Sequence, residues 1–242
     1  MIKNFYNALN MIPSAILCIL SISIIGMNLL ANKSVDTGLE WLGMDAGILF
    51  SALSFLAMDI ITQSFGLRVA NYASAFALVF SLLMSLLFCI ASFIPGTWAA
   101  SYSDNGEIIS LINDALNSTF KGQWYIIVGS SIAFLVSSLL NNFLNNTIGI
   151  ITKNKTFGAF ALRTYISTFI AQFIDNMIFS LLVSKIFFSW SLIKCLNCSI
   201  IGALLELLFE IFLSPIGYKI TRYFNSDTGK NTLKDNKGKL IG

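Results

Sequence analysis

The chain has 242 residues, of which 56% are hydrophobic and 11% charged, with a formal net charge of +3 and no histidine. A soluble domain carries about 25% charged residues, so this balance excludes an ordinary water-soluble fold. It also leaves no imidazole for catalysis or metal binding, and the solvent that suits such a chain is a lipid bilayer.

Crossing about 30 Å of hydrocarbon takes roughly 20 helical residues. Apolar stretches of that length lie near 12–31, 45–65, 71–94, 124–147, 157–187 and 195–220. None alternates as a strand would, and backbone groups in lipid must be paired internally, so the expected fold class is all-α, a polytopic membrane protein with six transmembrane helices. The first stretch is too long for a signal-peptide core, and no small-x-small site precedes "NKSVD", so it is read as a span that is retained. The spans are taken as one domain over residues 1–224, with 225–242 a disordered cytoplasmic tail, since "NSDTGKNTLKDNKGKLIG" is polar and rich in Lys, Gly and Asn.

Lys3, Arg68, Lys153, Lys155, Lys219, Arg222 and the lysines of the tail fall on one side of this layout. The other side holds Lys33, Lys121, Lys185 and Lys194, diluted by Asp36, Glu40, Asp104, Glu107 and Asp114. The positive-inside rule then puts both termini in the cytoplasm, which agrees with an even number of spans. Between the third and fourth spans, "EIISLINDAL" has Ile108, Leu111, Ile112 and Leu116 near helical spacing, as in a short interfacial helix.

The fourth and fifth spans carry related polar stripes. "SSLLNNFLNNTI" (137–148) aligns without gaps to "STFIAQFIDNMI" (167–178). Asn142, Asn145 and Asn146 share one helix face, as do Gln172, Asp175 and Asn176, with Thr168 before and Phe179 one turn after. Antiparallel neighbours with such stripes are expected to meet near mid-membrane, where transporters often build a central site.

Four acids lie within or near the ends of spans: Asp59, Asp175, Glu206 and Glu210. An acid at a helix centre costs about 2.5–3.5 kcal/mol to insert, so each needs a partner or a wet cavity. Asp59 shares a face with Thr62 and Gln63, and Glu206 with Glu210. Carboxylates and amides near Phe55, Phe143, Phe173 or Phe179 suit a planar heterocycle, which stacks on a ring while its N–H groups donate to the acids. The candidate binding residues are therefore Asp175, Gln172, Asn142, Asn145, Asn176, Thr168, Phe179, Phe143, Glu206, Glu210, Asp59 and Gln63. Arg163, near a helix end, reads equally as a headgroup anchor and as a ligand contact.

Three motifs resemble a known family. "MDIITQSFG" (58–66) is similar to a D-x-x-T-E-x-x-G signature, and "LRTYISTFIAQFIDNMIF" (162–179) to an R-x-x-x-S-T-x-x-x-Q-x-x-D-x-x-x-F helix. "LSPIGY" (213–218) resembles a small-hydroxyl-Pro-aromatic ending. All three belong to the queuosine-precursor transporters, also called the vitamin-uptake-transporter family, and the resemblance runs from the second span to Tyr218. It implies a six-span importer of deazaguanine bases (the nitrile or aminomethyl precursor of queuosine, or queuine) in the bacterial cytoplasmic membrane. It matches Asp59, Arg163, Ser167, Thr168, Gln172, Asp175 and Phe179 to the family pattern. Two positions depart from that pattern: Gln63 stands where the family usually has Glu, and Glu206 where many members have lysine.

The alternative reading is the substrate-binding subunit of a vitamin importer driven by a separate ATPase module; this chain has no phosphate loop of its own. An enzyme is not expected, because no nucleophile sits beside a recognisable base. Cys195 and Cys198 of "CLNC" lack a second ligand pair and read as small apolar fillers. Neither a cofactor nor a metal is expected, and the expected partners are the bilayer and a small planar base, without nucleic acid or ATPase. A homodimer is left open.

Overall fold

The computed structural model describes residues 2–122, 124–152 and 156–226. Lys153, Lys155 and the tail from residue 227, with its lysines, lie outside the described residues. The protein is built from apolar helices. Among the described residues five are long and apolar enough to cross a membrane, and a bent pair makes six if it counts as one span.

The first predicted span, near 12–31, is the second helix of that pair, and a further helix precedes it. Helix α1 (Ile2–Asn10) and α2 (Ser14–Leu30) meet at 105°, because Pro13 takes an extended ψ of 131° and starts a new helix. Ala8 and Leu9 of α1 pack on the core, and the Phe5 ring meets Tyr72 edge-on at 5.5 Å. Two strands of two residues each follow, β1 (Ser34–Val35) antiparallel to β2 (Met44–Asp45), with Ser34 opposite Asp45. The second span thus begins three residues later than expected, at Ile48.

Helix α3 (Ile48–Phe65) is the centre of the bundle, buried almost continuously from Ser51 to Thr62 and touching α2, α4, α6, α7 and α9. Gly66 turns the chain at a φ of 90°, which a glycine adopts without strain, and α4 (Leu67–Ala91) runs back. Ala70, Ala73, Ser74, Ala77 and Ser81 of α4 face inward, so the helices approach closely; Leu82, Leu83, Leu86 and Leu87 face outward, as suits lipid. The expected interfacial helix is α5 (Gly106–Gly122), longer than its apolar spacing suggested and with no buried residue.

Helix α6 (Trp124–Thr152) and α7 (Phe157–Phe179) form an antiparallel pair. A π-helical turn, Ser180–Ser184, continues α7 into the short α8 (Lys185–Phe187), completing the fifth span. The last helix, α9 (Leu192–Asn225), contains Pro215, which has no N–H for the Ile211 carbonyl. Ser214 Oγ donates to that carbonyl at 2.9 Å, so the helix continues past the proline. Phe224 packs on Phe65 near the Gly66 turn, where Phe5 and Tyr72 also meet, so the two described ends of the chain lie at one face of the bundle.

Candidate functional site

At the opposite face the helix ends enclose a cavity of about 420 Å³. Its walls come from the end of α2, the 31–47 segment, and the starts of α3, α6 and α9. The far end of α7, with the π turn and Phe188–Trp190, closes it. Asp45, Asp175 and Glu206 line it, and no lysine or arginine among the described residues does. The three carboxylates repel one another across it. Phe179, Tyr125 and Trp190 supply aromatic surface, with Tyr125 stacked on Phe187 at 4.2 Å between centroids.

The floor is a hydrogen-bonded layer. Asn176 Nδ2 donates to Glu206 Oε2 at 3.1 Å. With its amide turned to satisfy both neighbours, Gln172 Nε2 donates to the same oxygen at 2.9 Å and Oε1 accepts from Ser51 Oγ at 2.9 Å. Ser137 Oγ donates to Asp175 Oδ1 at 2.6 Å. These acids hold acceptors toward the cavity while polar neighbours on other helices fix their direction.

Asp45 lies outside the spanning helices. Burial raises its carboxyl from 3.8 to about 6, opposed by a 2.8 Å hydrogen bond from the Gly47 N–H. Its charge therefore changes just below neutral pH.

Of the sequence-predicted residues, Asp175, Asn176, Phe179 and Glu206 line the cavity and Gln172 braces its floor. The others lie deeper or elsewhere. Asn142 donates to Asn71 Oδ1 at 3.0 Å and accepts from Thr62 at 3.2 Å. Asn145 donates to Ser167 at 3.3 Å and accepts from Arg163 Nε at 2.9 Å. Gln63 donates to Thr164 at 3.0 Å and lines a separate cavity of about 280 Å³ near the chain ends. Asp59, Thr168 and Glu210 are wholly buried and line neither cavity.

Two expectations change. Phe143 is 54% exposed on the outer surface of α6, because it faces away from the stripe of Asn142 and Asn145, and it does not contribute a stacking ring. Phe55 likewise packs in the core rather than in the cavity. The two stripes do meet, but crossed: Ser137 touches Asp175 and Asn145 touches Ser167, so the start of each copy faces the far end of the other. Arg163, left between two readings, is 3% exposed inside the bundle, and a Cβ on Gly149 would lie 2.5 Å from its guanidinium. Glycine there makes the room.

The chain from 45 to 220 matches a family model described as "Putative vitamin uptake transporter". The chain belongs to the vitamin-uptake-transporter family. No curated protein and no solved structure matches it significantly. This vitamin-uptake transporter is a multi-pass membrane protein, and the match covers nearly the stretch over which its motifs resemble the family. The match also begins at Asp45, the cavity acid that sequence reading passed over as a span boundary. Ser51, Tyr125 and Trp190 were missed too; a lone serine or aromatic residue at a helix end has no periodic signal. Cys195 and Cys198 are free and buried: Cys198 Sγ accepts from the Gly43 N–H at 3.3 Å and ties the 31–47 segment to α9, while Cys195 Sγ donates to the Ser180 carbonyl at 3.6 Å and ties the π turn to it.

Proposed function

We propose that this transporter imports a deazaguanine precursor of queuosine across the bacterial cytoplasmic membrane, by alternating access and without an ATPase partner. The aminomethyl form is the preferred cargo. The observation that carries this reading is the floor of the cavity, where Glu206 is held by Gln172 and Asn176, with Asp175 a turn from Phe179. A planar base stacks on an aromatic wall, its ring N–H and exocyclic amine donate to the carboxylates, and its carbonyl accepts from an amide. A volume of about 420 Å³ suits a small ligand. Three acids without a lysine or arginine in the lining favour the cationic aminomethyl group over the neutral nitrile.

The positive-inside rule places the described chain ends in the cytoplasm, so the cavity faces outward, as an importer awaiting cargo requires. Release to the inside then needs the Gln172–Glu206–Ser51 layer to part and the outer segments to close.

The test is thermal stability of the detergent-purified protein against aminomethyl- and nitrile-deazaguanine, queuine, guanine and water-soluble vitamins, since ligand bound to the folded state raises its stability. The aminomethyl precursor should give the largest shift, and Asp175→Asn should abolish it. A shift with an unrelated vitamin alone, together with co-purification of an ATPase pair, would replace this reading by that of a binding subunit.

A further inference from the structure

One turn below the cavity floor lies a second polar layer that the cargo reading does not use. Its level is set by contacts on either side. Above it, Gln172 of α7 bonds Glu206 of α9 and Ser51 of α3. Below it, Tyr165 bonds Ser214 at 2.7 Å and Gln63 bonds Thr164 at 3.0 Å. Because α7 and α9 are antiparallel and in contact, one turn from Gln172 and one turn from Glu206 bring Thr168 and Glu210 to the same depth. On α3, Asp59 falls between Ser51 and Gln63, and Asn141 of α6 donates to its Oδ1 at 2.8 Å.

All four side chains are 0% exposed. Five of their oxygens have no hydrogen-bond partner: Asp59 Oδ2, Asn141 Oδ1, Thr168 Oγ1 and both oxygens of Glu210. A buried acceptor without a donor is costly, and an unpartnered carboxylate more so. Elsewhere in the bundle the buried acids are each braced: Glu206 by two amides and Asp175 by a serine. Here the donors gather on the Asp59 side, and none bonds either oxygen of Glu210. The charged groups facing this layer are Asp59 from α3, Arg163 from α7 and Glu210 from α9, with Asn141 and Asn145 from α6 and Thr164 and Thr168 from α7 completing it. Arg163 attracts Asp59 and offsets one negative charge. The second, on Glu210, is left without a counter-charge.

We propose that Asp59, Asn141, Thr168 and Glu210 bind a small desolvated monovalent cation, H⁺ or Na⁺, as a co-substrate of transport. The ligand supplies only positive charge, which is what a set of bare oxygens lacks. Glu210 stands one turn from Glu206 on one helix, between the cargo cavity and Pro215, so the cation and the cargo act on the same stretch of α9. Cation binding thus neutralises the middle of the bundle before it passes from one face to the other. This inference rests on the chain being a transporter, and not on which cargo it carries.

The experiment is thermal unfolding of the full-length protein in detergent, at constant ionic strength, with NaCl replaced stepwise by choline chloride and, separately, with pH varied in choline alone. A sodium site raises Tm by a few degrees for each tenfold increase in Na⁺ above its Kd. A proton site gives instead a sodium-independent rise as pH falls, because the folded state binds the additional proton. The sodium response should be lost in Glu210→Gln, which keeps the shape and removes the charge; a proton response should shrink there to the part that Asp45 contributes, and either should weaken in Thr168→Val. Wild type and Glu210→Gln responding alike to Na⁺ and to pH would overturn the proposal. Glu206→Gln separates the two readings: it should lose the shift with aminomethyl-deazaguanine and keep the cation response. A cation response with no deazaguanine shift in any protein would leave this site standing and remove the proposed cargo.

Discussion

The cavity floor and the layer around Arg163 are made of the same residue types, yet they do opposite things. In the floor, Asp175 and Glu206 keep acceptors aimed at open volume. In the Arg163 layer, the guanidinium is bound to Asn145, which holds Ser167, while Asp59 is bound to Asn141 and attracted by Arg163. Under the proposed function the first recognises cargo; the second ties α3, α6 and α7 together. An intramembrane polar residue is therefore a hint of cargo recognition only when its spare hydrogen-bonding capacity reaches a cavity, and the difference between these layers can be broken experimentally.

The largest effect should come from Arg163→Leu. It leaves Asp59 without its attracting charge and Asn145 without its donor, and removing one partner of a buried charged pair costs about 3–5 kcal/mol. The expected outcome is a sharp fall in the yield and thermal stability of detergent-purified protein. Gly149→Leu attacks the same contact from α6 by filling the space the guanidinium occupies, with about 1–3 kcal/mol lost to overpacking. If both variants were as stable as wild type and lost only cargo binding, Arg163 would belong to the recognition layer instead.

Asp175→Asn should do the reverse. Its carboxylate is braced by Ser137 and faces the cavity, so stability should hold while cargo affinity falls. Hydrogen bonds to charged groups contribute about 1.5–3 kcal/mol, or roughly 10- to 100-fold in Kd. Titration calorimetry with the aminomethyl precursor measures this directly.

A smaller, pH-dependent effect is expected from Asp45. Its carboxyl is raised to about 6, so it is charged above that pH and neutral below it. Binding of a cationic cargo should therefore weaken as pH falls through about 6, and Asp45→Asn should flatten that dependence. The stability of the cargo-free protein carries the opposite sign. A buried acid with a raised native pKa disfavours the folded state once it ionises, so stability should decline as pH rises from about 4 to about 6. A neutral cargo would bind without this pH profile, which sharpens the choice between the aminomethyl and nitrile precursors.

The spans were legible because transfer of roughly 20 apolar residues into lipid is a large, additive signal that survives local noise. The break at Pro13 was less so, since α1 is short and its residues Phe5, Ala8 and Leu9 reveal their face only against α4. For the site, helical spacing identified the polar faces correctly but not their depth or their neighbours. Asn142 and Gln172 occupy matching places in the two stripes, yet one binds Asn71 and Thr62 while the other braces Glu206. What separates them is the crossed register of α6 and α7, which is a property of packing. Glu206 and Glu210 show the same limit: a single turn on α9 moves a carboxylate from the cavity wall to a place where no donor bonds it.

The smallest expected effect tests that lesson most cleanly. Phe143 and Phe173 match in the two stripes, and by sequence Phe143 and Phe179 are both plausible stacking rings beside acid and amide groups. The structure puts Phe179 on the cavity wall and Phe143 on the outer surface of α6. Phe179→Ala should therefore weaken cargo binding by about 0.5–1.5 kcal/mol from the lost aromatic stacking, roughly three- to tenfold in Kd. Phe143→Ala should leave Kd unchanged within error, because its ring lies on the outer surface of α6 and not on the cavity wall. Measured side by side in the same detergent, a loss confined to Phe179→Ala supports the crossed packing of α6 on α7. A comparable loss in Phe143→Ala would mean that the two stripes face a common site and that the outward face of α6 has been assigned to the wrong side.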